Sequence, residues 1–369
     1  MERPQRISHD AGPVRNLARL LSLILLLVVM TVLLALGWLF VVYPDSNGPR
    51  PDADAVVLEV DEGTTLRELA DTLESAGVID HKRVWTLYMR LRGLDRYLRQ
   101  GKIRFPTPMT PEAVARYATT RLGRIQIRIT IPEGFNRFDI GKRLEEFGVC
   151  SQEDFIDATE DASLLASYGV EANNAEGYLF PDTYEFDDQT KPRRVVERML
   201  ANWTRRYEEL TEEHAESLAG LENWTTHDVV TLASIVEKEA ALAAERPRIA
   251  GVFRNRLSSK KFLPRKRLQA DPTVSYGCLA EPDAASSCDD FDGDITRAML
   301  DDPNNPYNTY RHSGLPPGPI SNPGMAALLS VIEPEQHDYF YFVARGGGRH
   351  HFSKTLRQHN IAVRRHNGR

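Results

Sequence analysis

Large apolar side chains recur at helical spacing between Thr225 and Ala244. An α-helix turns about 100° per residue, so four side chains of this stretch share one third of its circumference. They are Leu232, Ile235, Val236 and Glu239. Glu237 points about 160° away from Glu239, toward an edge of small residues. Thr225 and Asp228 have the spacing of a capping box. The pattern predicts a capped amphipathic helix with one carboxylate on its apolar side.

Glu239 is the candidate for chemistry in this helix. A carboxyl group among apolar neighbours loses the hydration that stabilises its charge, so its pKa rises and it can hold a proton near neutral pH. Such a group can serve as a general acid. The alternative is a boundary residue that reaches water at the edge of the apolar stripe, which is common in amphipathic helices.

An uncharged apolar run of 24 residues extends from Leu20 to Tyr43. At about 1.5 Å per residue it spans about 36 Å, enough for a bilayer core and too long for the apolar segment of a signal peptide. Arginines precede the run and aspartates predominate just after it. The positive-inside rule therefore predicts residues 1–19 in the cytoplasm, a single transmembrane helix at 20–43, and the remaining chain outside.

Two segments that start 71 residues apart share one pattern. Val60–Val78 and Ile131–Val149 both contain a Glu-Gly pair, apolar residues at matching positions and a final Gly-Val pair. Each predicts a short strand, a turn at the glycine, a helix of about three turns and a glycine that ends the helix. The alternative is a chance similarity between two βα units.

The remaining patterns predict an α+β protein. Residues 44–55 are rich in Pro and Asp and predict a linker. A small α+β module would follow at 56–124, and a mixed α+β catalytic domain at 125–369. Helices are predicted at Val84–Leu98, Pro111–Leu122, Gln152–Tyr168, Pro192–Leu218 and Ile249–Leu257, and a β-hairpin at Tyr339–Ala344 and His350–Phe352.

Composition narrows the choice of partners. The 369 residues carry a net charge of -6, which gives no overall case for nucleic acid. Five of the ten histidines lie between His312 and His359, but their spacing matches no common metal site. Outside the cytoplasm, a disulfide between Cys278 and Cys288 is plausible and would leave Cys150 single; the alternative is three free thiols.

Turn-forming residues are concentrated after the central helix. Asp271 and Pro272 are typical of the N-cap and first residue of a helix. The Pro- and Gly-rich segment Gly314–Gly324 predicts a rigid loop that could form one wall of a cleft.

Four motifs resemble a known family. The segments ASIVEKE (233–239), LQADPTVSYG (268–277), PYNTY (306–310) and GLPPGPISNPG (314–324) are similar to those of the YceG-like family, the endolytic murein transglycosylases of the bacterial cell envelope. EGYLFPDTY (176–184), FRNRL (253–257) and YFYFVARGGGRHHFS (339–353) agree as well. The resemblance extends from about Val56 to Asn360.

The resemblance implies a lytic cut within nascent glycan strands, between N-acetylmuramic acid and N-acetylglucosamine, that leaves 1,6-anhydro ends and terminates strand elongation. It implies Glu239 as general acid and then base, with no cofactor and no metal. Glycan strands would be the substrate, and peptidoglycan synthases the partners. The substrate-binding candidates are Glu237, Asn255, Gln269, Asp271, Tyr276, Asn308 and Tyr310. Residues 56–124 resemble the LysM-like module of the family, which implies glycan binding.

Two other functions fit the same residues. An inverting hydrolase would use Glu239 as acid and Asp271 as base on water. A scaffold without catalytic activity would bind glycan only. The chemical form of the new strand ends distinguishes the lytic transglycosylase from the inverting hydrolase. A change of Glu239 to Gln distinguishes these two enzymes from the scaffold.

Overall fold

The computed structural model describes residues 12–49, 54–120, 122–187, 190–221 and 223–366. The chain divides into two compact units, Met1–Ile125 (unit 1) and Gln126–Arg369 (unit 2). Both combine helices with antiparallel strand pairs, so the predicted mixed α+β class is confirmed.

Unit 1 begins with the apolar helix. Its elements are α1 (Gly12–Gly37), β1 (Ala55–Val60), α2 (Leu66–Ser75), α3 (Lys82–Leu91), β2 (Gly101–Pro106) and α4 (Pro111–Thr119). Strands β1 and β2 pair antiparallel, with Val60 opposite Gly101. Helices α2, α3 and α4 bury apolar residues such as Leu73, Trp85 and Val114 in one core.

The apolar run continues α1 through a π-helical turn at Trp38–Val42 and a 3-10 turn at Tyr43–Asp45. Among the described residues, Arg19–Asp45 is the one stretch long and apolar enough to cross a membrane. Its last turns pack against the core of unit 1, because Leu39 and Tyr43 are buried there and the rings of Tyr43 and Tyr88 lie 5.9 Å apart. Residues 1–11, and residues 50–53 of the predicted linker, lie outside the described residues.

Unit 2 contains the other elements. They are β3 (Gln126–Thr130), α5 (Arg137–Glu146), α6 (Gln152–Thr159), α7 (Ala162–Ser167), β4 (Thr183–Asp187), α8 (Pro192–Glu213), α9 (Ala215–Ala219), α10 (Thr226–Glu239), α11 (Arg246–Ser258), α12 (Asp271–Ala280), α13 (Arg297–Asp301), α14 (Met325–Ile332), β5 (Tyr341–Gly346), β6 (Arg349–Ser353) and α15 (Leu356–His366). Strands β3 and β4 pair antiparallel, as do β5 and β6. The hairpin was predicted, whereas β4 was not, and the helices predicted at Gln152–Tyr168 and Pro192–Leu218 are each two helices.

Both predicted strand-turn-helix units are present in the structure. In both copies a strand leads through a glycine turn into a helix that starts with a capping box, formed by Thr65 and Glu68 in α2 and by Asn136 and Asp139 in α5. Both helices end at a glycine with positive φ, 69° at Gly77 and 72° at Gly148. A side chain at either position would strain the backbone, which explains why glycine ends both helices.

The central part of helix α10 is buried on all sides, which corrects the expectation of an amphipathic helix. Every residue from Val229 to Val236 is buried, and this includes the polar side chains of Thr231 at 1% and Ser234 at 0% exposure, whereas Lys238 near the end of the helix is exposed. The predicted capping box is present, since the Thr225 hydroxyl accepts from the backbone of Asp228. The helix ends at Glu239, earlier than Ala244. Burial of α10 therefore comes from elements that surround it.

One of these elements is the segment 314–324, for which the sequence predicts the wall of a cleft. Most of it is buried beside α10 instead. The backbone N–H of Ile320 donates to Ser234 Oγ at 3.0 Å, and the Ser321 hydroxyl donates to Ser234 O at 3.1 Å. Since its backbone is satisfied by these contacts, the segment can lie in the core without a large polar penalty.

Cys278 and Cys288 form a disulfide, and Cys150 is a free thiol, as the sequence suggests. The bridge joins the end of α12 to the loop that follows it and lies in a small apolar cluster with Val274 and Met299.

Candidate active site

Glu239 is the last residue of α10, and its side chain is half-buried. Within the described part of the chain, its carboxyl group has no hydrogen-bond or ion-pair partner. Its pKa is raised to about 7, mainly because of burial and also because of the negative charge of Asp271, while the positive charge of Arg256 opposes the rise. The site therefore holds a carboxyl group that can be protonated at neutral pH and is free to contact a ligand.

A Glu239→Gln change should stabilise the folded protein above pH 7 and leave its stability unchanged below pH 4. The folded state holds the Glu239 proton more tightly than the unfolded chain does, so stability falls as pH rises from the ordinary pKa of 4.5 to about 7. Gln carries no such cost, and the expected gain at pH 8 is about 1 to 3 kcal/mol. Urea unfolding of the wild type and Glu239→Gln below pH 4 and at pH 8 measures this difference in stability. Equal stability of the two proteins at pH 8 would contradict the raised pKa.

Asp271 supplies the nearest negative charge. It is the first residue of α12, and Ala270, not Asp271, is the N-cap, so the predicted capping role is wrong by one position. The exposed Asp271 carboxylate instead accepts a hydrogen bond of 2.5 Å from the Tyr310 hydroxyl. Burial and the adjacent Asp271 charge raise the pKa of Tyr310, so this hydroxyl stays protonated and keeps donating.

Arg256 supplies the positive charge. This buried side chain of α11 donates from Nε to Phe340 O at 2.7 Å and from Nη1 to Leu268 O. Burial lowers its pKa to about 10, against the opposing attraction of Glu239. It therefore remains charged at neutral pH and moderates the rise in the Glu239 pKa.

Glu237 is in a different state from Glu239, although both lie on the last turn of α10. Its side chain is 5% exposed and accepts from Arg246 Nη2 at 2.5 Å and from Gly324 N at 3.2 Å. Arg246 also pairs with Glu133 at 3.1 Å. Burial raises the Glu237 pKa and Arg246 opposes the rise. The sequence expectation that only Glu239 is desolvated is wrong, and the difference between the two acids is the presence of a partner.

Two further candidates are neighbours in sequence of Arg256 or of its partner Leu268. The Asn255 side-chain amide donates to His337 O at 2.7 Å and to Tyr339 O at 3.0 Å, which holds the approach to β5 against α11. Gln269 precedes α12 with φ of 55°, a conformation that costs energy for a residue with a side chain. Its side chain is half-buried and makes no hydrogen bond with the part of the chain that the structure describes.

Tyr276 and Asn308 are fully buried. The Tyr276 hydroxyl donates to Glu176 Oε2 at 3.0 Å. Asn308, at 0% exposure, donates to three backbone carbonyls and accepts from the backbone N–H of Tyr310 at 3.0 Å. Asn308 thus fixes the backbone of the tyrosine that contacts Asp271. The structure brings Glu239, Asp271 and Tyr310 together, whereas Tyr276 and Asn308 are buried and bonded to other parts of the chain.

The order of these residues along the chain matches a known sequence pattern. A sequence profile of the YceG-like family matches residues 58–365. The chain belongs to this family. A solved structure of a YceG-like protein from Listeria monocytogenes is 28% identical, with a TM-score of 0.52 over 84% of this chain and 98% of that one.

Two relatives in the YceG-like family carry the name endolytic murein transglycosylase. The protein of Bacillus subtilis is 28% identical over 321 residues, which cover 83% of both chains. A protein of Streptococcus pneumoniae is 27% identical over 339 residues, which cover 84% of this chain and 58% of the relative.

Within this YceG-like fold, the sequence candidates omit Glu176, a carboxylate at 1% exposure. It accepts from Arg137 N at 2.9 Å, from Tyr276 at 3.0 Å and from Asn322 Nδ2 at 2.7 Å. Its pKa is raised to about 7 because burial outweighs the hydrogen bonds from Arg137 and Tyr276 and the positive charge of Arg137. Glu176 therefore links the start of α5, α12 and the segment 314–324. Its only sequence signal is its place in the motif EGYLFPDTY.

Proposed function

We propose that this chain is an endolytic murein transglycosylase in which Glu239 is the catalytic residue. The observation that carries the proposal is the Glu239 carboxyl group, which has a pKa of about 7 and is unpaired among the described residues. The names of the Bacillus and Streptococcus relatives support the same reaction.

One carboxyl group suffices for this chemistry. Protonated Glu239 gives its proton to the glycosidic oxygen, and the bond between that oxygen and C1 of the muramic acid breaks. The C6 hydroxyl of the same muramic acid attacks C1, and its proton passes to the Glu239 carboxylate. The products are a 1,6-anhydro end and a free hydroxyl on the N-acetylglucosamine, and Glu239 is protonated again. Because no water is consumed, no second group is needed to activate it, and the reaction needs no cofactor.

The neighbours of Glu239 have separate roles in this proposal. The Asp271 carboxylate stabilises the positive charge that develops on the sugar ring, and the Tyr310 hydroxyl holds that carboxylate in place. Gln269 and Asn255 are the candidates for hydrogen bonds to the sugar. Glu237 stabilises the shape of the site through its ion pair with Arg246. The contacts of the buried Tyr276 and Asn308 favour positioning roles over direct sugar contact.

The N-terminal part adds location and substrate capture. Helix α1 would anchor the chain in the inner membrane, with its N-terminus in the cytoplasm, residues 44–55 as linker and the following domains outside. Residues 56–124 would be a LysM-like, glycan-binding module, and residues 125–369 the catalytic domain. A tethered enzyme would cut nascent strands beside peptidoglycan synthases and so terminate their elongation. The apolar, exposed surface of Arg19–Asp45 supports the anchor.

Mass spectrometry of purified sacculi digested by the full-length protein tests the reaction. We expect every new muramic acid end to be in the 1,6-anhydro form. Reducing muramic acid ends, formed with uptake of water, would instead identify an inverting hydrolase that uses Asp271 as base. Release of single disaccharides from the existing ends of the strands, without cuts inside them, would contradict the endolytic mode.

A further inference from the structure

Two segments of unit 2 carry many cations and no acids. Residues 259–270 contain five Lys and Arg residues and residues 345–366 contain six, and neither segment contains Asp or Glu. The whole chain has a net charge of -6, so this concentration of positive charge is local.

The two segments lie side by side. Phe262 stacks on Phe340 with 5.8 Å between ring centroids and lies 5.7 Å from the ring of Tyr341. Tyr341 in turn stacks on His359 of α15 at 5.2 Å. The loop 259–270, the β5–β6 hairpin and α15 therefore form one substructure, which we call the basic corner.

Most cations of the basic corner are exposed and have no ion-pair partner among the described residues. These are Lys260, Lys261, Arg265, Lys266, Arg345, Arg349, Arg357, Arg364 and Arg365. By contrast, Lys354 pairs with Asp338 at 3.2 Å, Arg267 donates to Tyr310 O at 2.7 Å, and His350 pairs with Glu245 at 2.8 Å. The unpaired charges leave a strong positive potential at the surface.

Exposed apolar side chains lie among these cations. Leu263 is 70% exposed, Leu356 54% and Ile361 51%. Leu263 is flanked in sequence by Lys260, Lys261, Arg265 and Lys266. On α15, Arg357, Ile361, Arg364 and Arg365 recur at the spacing of one helix face. Apolar residues within a basic surface are typical of segments that lie in the headgroup region of a membrane.

We propose that the basic corner binds the surface of an anionic lipid bilayer. The cations contact the lipid phosphates, and Leu263 and Ile361 enter the boundary between headgroups and acyl chains. A soluble polyanion would account for the cations but not for the exposed leucine at the tip of the basic loop. The exposed cations and apolar side chains that would make this contact are distinct from the apolar helix and from Glu239, Asp271 and Tyr310, and the contact would restrict the orientations of unit 2 at the membrane.

A fluorescent probe on the basic loop tests the proposal in the full-length chain. The chain carries Leu263→Cys, labelled with an environment-sensitive dye, and Cys150→Ala to remove the free thiol. It is inserted through α1 into nanodiscs of phosphatidylcholine alone or mixed with an equal amount of phosphatidylglycerol. We expect a blue shift, and quenching by nitroxide-labelled lipid, only in the anionic discs. Replacement of Lys260 and Lys261 by Gln should lower the affinity of the basic corner for the anionic lipid surface about 25-fold, or about fivefold per cation.

Two controls separate specific contact from proximity caused by the tether. The same dye at Glu212→Cys, an exposed position on α8, should show no shift in either disc. Loss of two α8 cations through Arg194→Gln and Arg205→Gln should leave the Leu263 signal unchanged. The proposal is overturned by an equal response in neutral and anionic discs, by an equal response at Glu212, or by a signal that survives loss of Lys260 and Lys261. It is also overturned if a soluble polyphosphate binds the corner while anionic discs give no shift.

Discussion

Glu239→Gln should abolish strand cleavage while the protein stays folded. Gln has nearly the same shape but can neither donate a proton to the glycosidic oxygen nor accept one from the C6 hydroxyl. General acid and base catalysis contributes about 10² to 10⁴ in rate for a single group. Since Glu239 serves both steps here, we expect a loss of about 10³-fold or more in the rate at which anhydro ends form.

The matched control is Glu212→Gln, the same change on the exposed face of α8, and it should cleave at the wild-type rate. The rate of cleavage by the wild type, Glu239→Gln and Glu212→Gln is measured as the release of anhydro-ended strands from purified sacculi. Far-UV circular dichroism at pH 8 checks that each protein is folded. A Glu239→Gln protein that keeps more than a tenth of wild-type activity would assign the chemistry to another residue. Unchanged turnover would favour a scaffold that only binds glycan.

Arg246→Met should destabilise unit 2 by about 3 to 5 kcal/mol at neutral pH, because it leaves the buried Glu237 carboxylate without its partner. The side chains of the pair are only 10% and 5% exposed. Burial already raises the Glu237 pKa against the opposing effect of Arg246, so without Arg246 the carboxyl should take up a proton more readily. The loss should therefore shrink as pH falls through the Glu237 pKa. Urea unfolding at pH 7.5 and pH 5 measures both effects.

A second substitution separates the lost pair from lost packing. The double change Arg246→Met with Glu237→Gln should recover much of the lost stability, because a neutral amide is cheaper to bury than an unpaired charge. Arg205→Met is the exposed control, since its pair with Glu209 is 54% and 53% exposed and should contribute less than about 1 kcal/mol. An Arg246→Met protein within about 1 kcal/mol of wild type would contradict the role of this pair.

Local sequence patterns predicted the elements whose geometry depends on neighbouring residues alone. The capping box of α10, the paired strand-turn-helix units with their terminal glycines, the hairpin at Tyr341–Ser353 and the apolar helix all follow from short spacings. Strand β4 was missed because its partner β3 lies more than fifty residues earlier, and nothing local marks that pairing. The break between α6 and α7 was missed although it has a local signal, since the Asp161 side chain accepts hydrogen bonds from the backbone of Ser163 and Leu164 and caps the second helix.

In the candidate site, too, the sequence predicted what depends on neighbouring residues and missed what depends on distant ones. The E-K-E motif identified Glu237 and Glu239 as neighbours, but a helical wheel could not distinguish their environments. The central part of helix α10 is enclosed by other elements on every side, and the two acids at its end differ because Arg246 pairs with Glu237 and not with Glu239. Two contacts of the site also join residues that are far apart in sequence. Tyr310 and Asp271 are 39 positions apart, and Glu176 and Tyr276 are 100 positions apart.

The sequence by itself determined the local elements, the family and the identity of the candidate acid, because those depend on residue types at fixed short spacing. Only the tertiary structure decided which carboxylate is paired, which has no partner, and which candidate side chains are buried. Burial and charge pairing depend on distances between residues far apart in the chain, and those distances exist only once the elements have packed together.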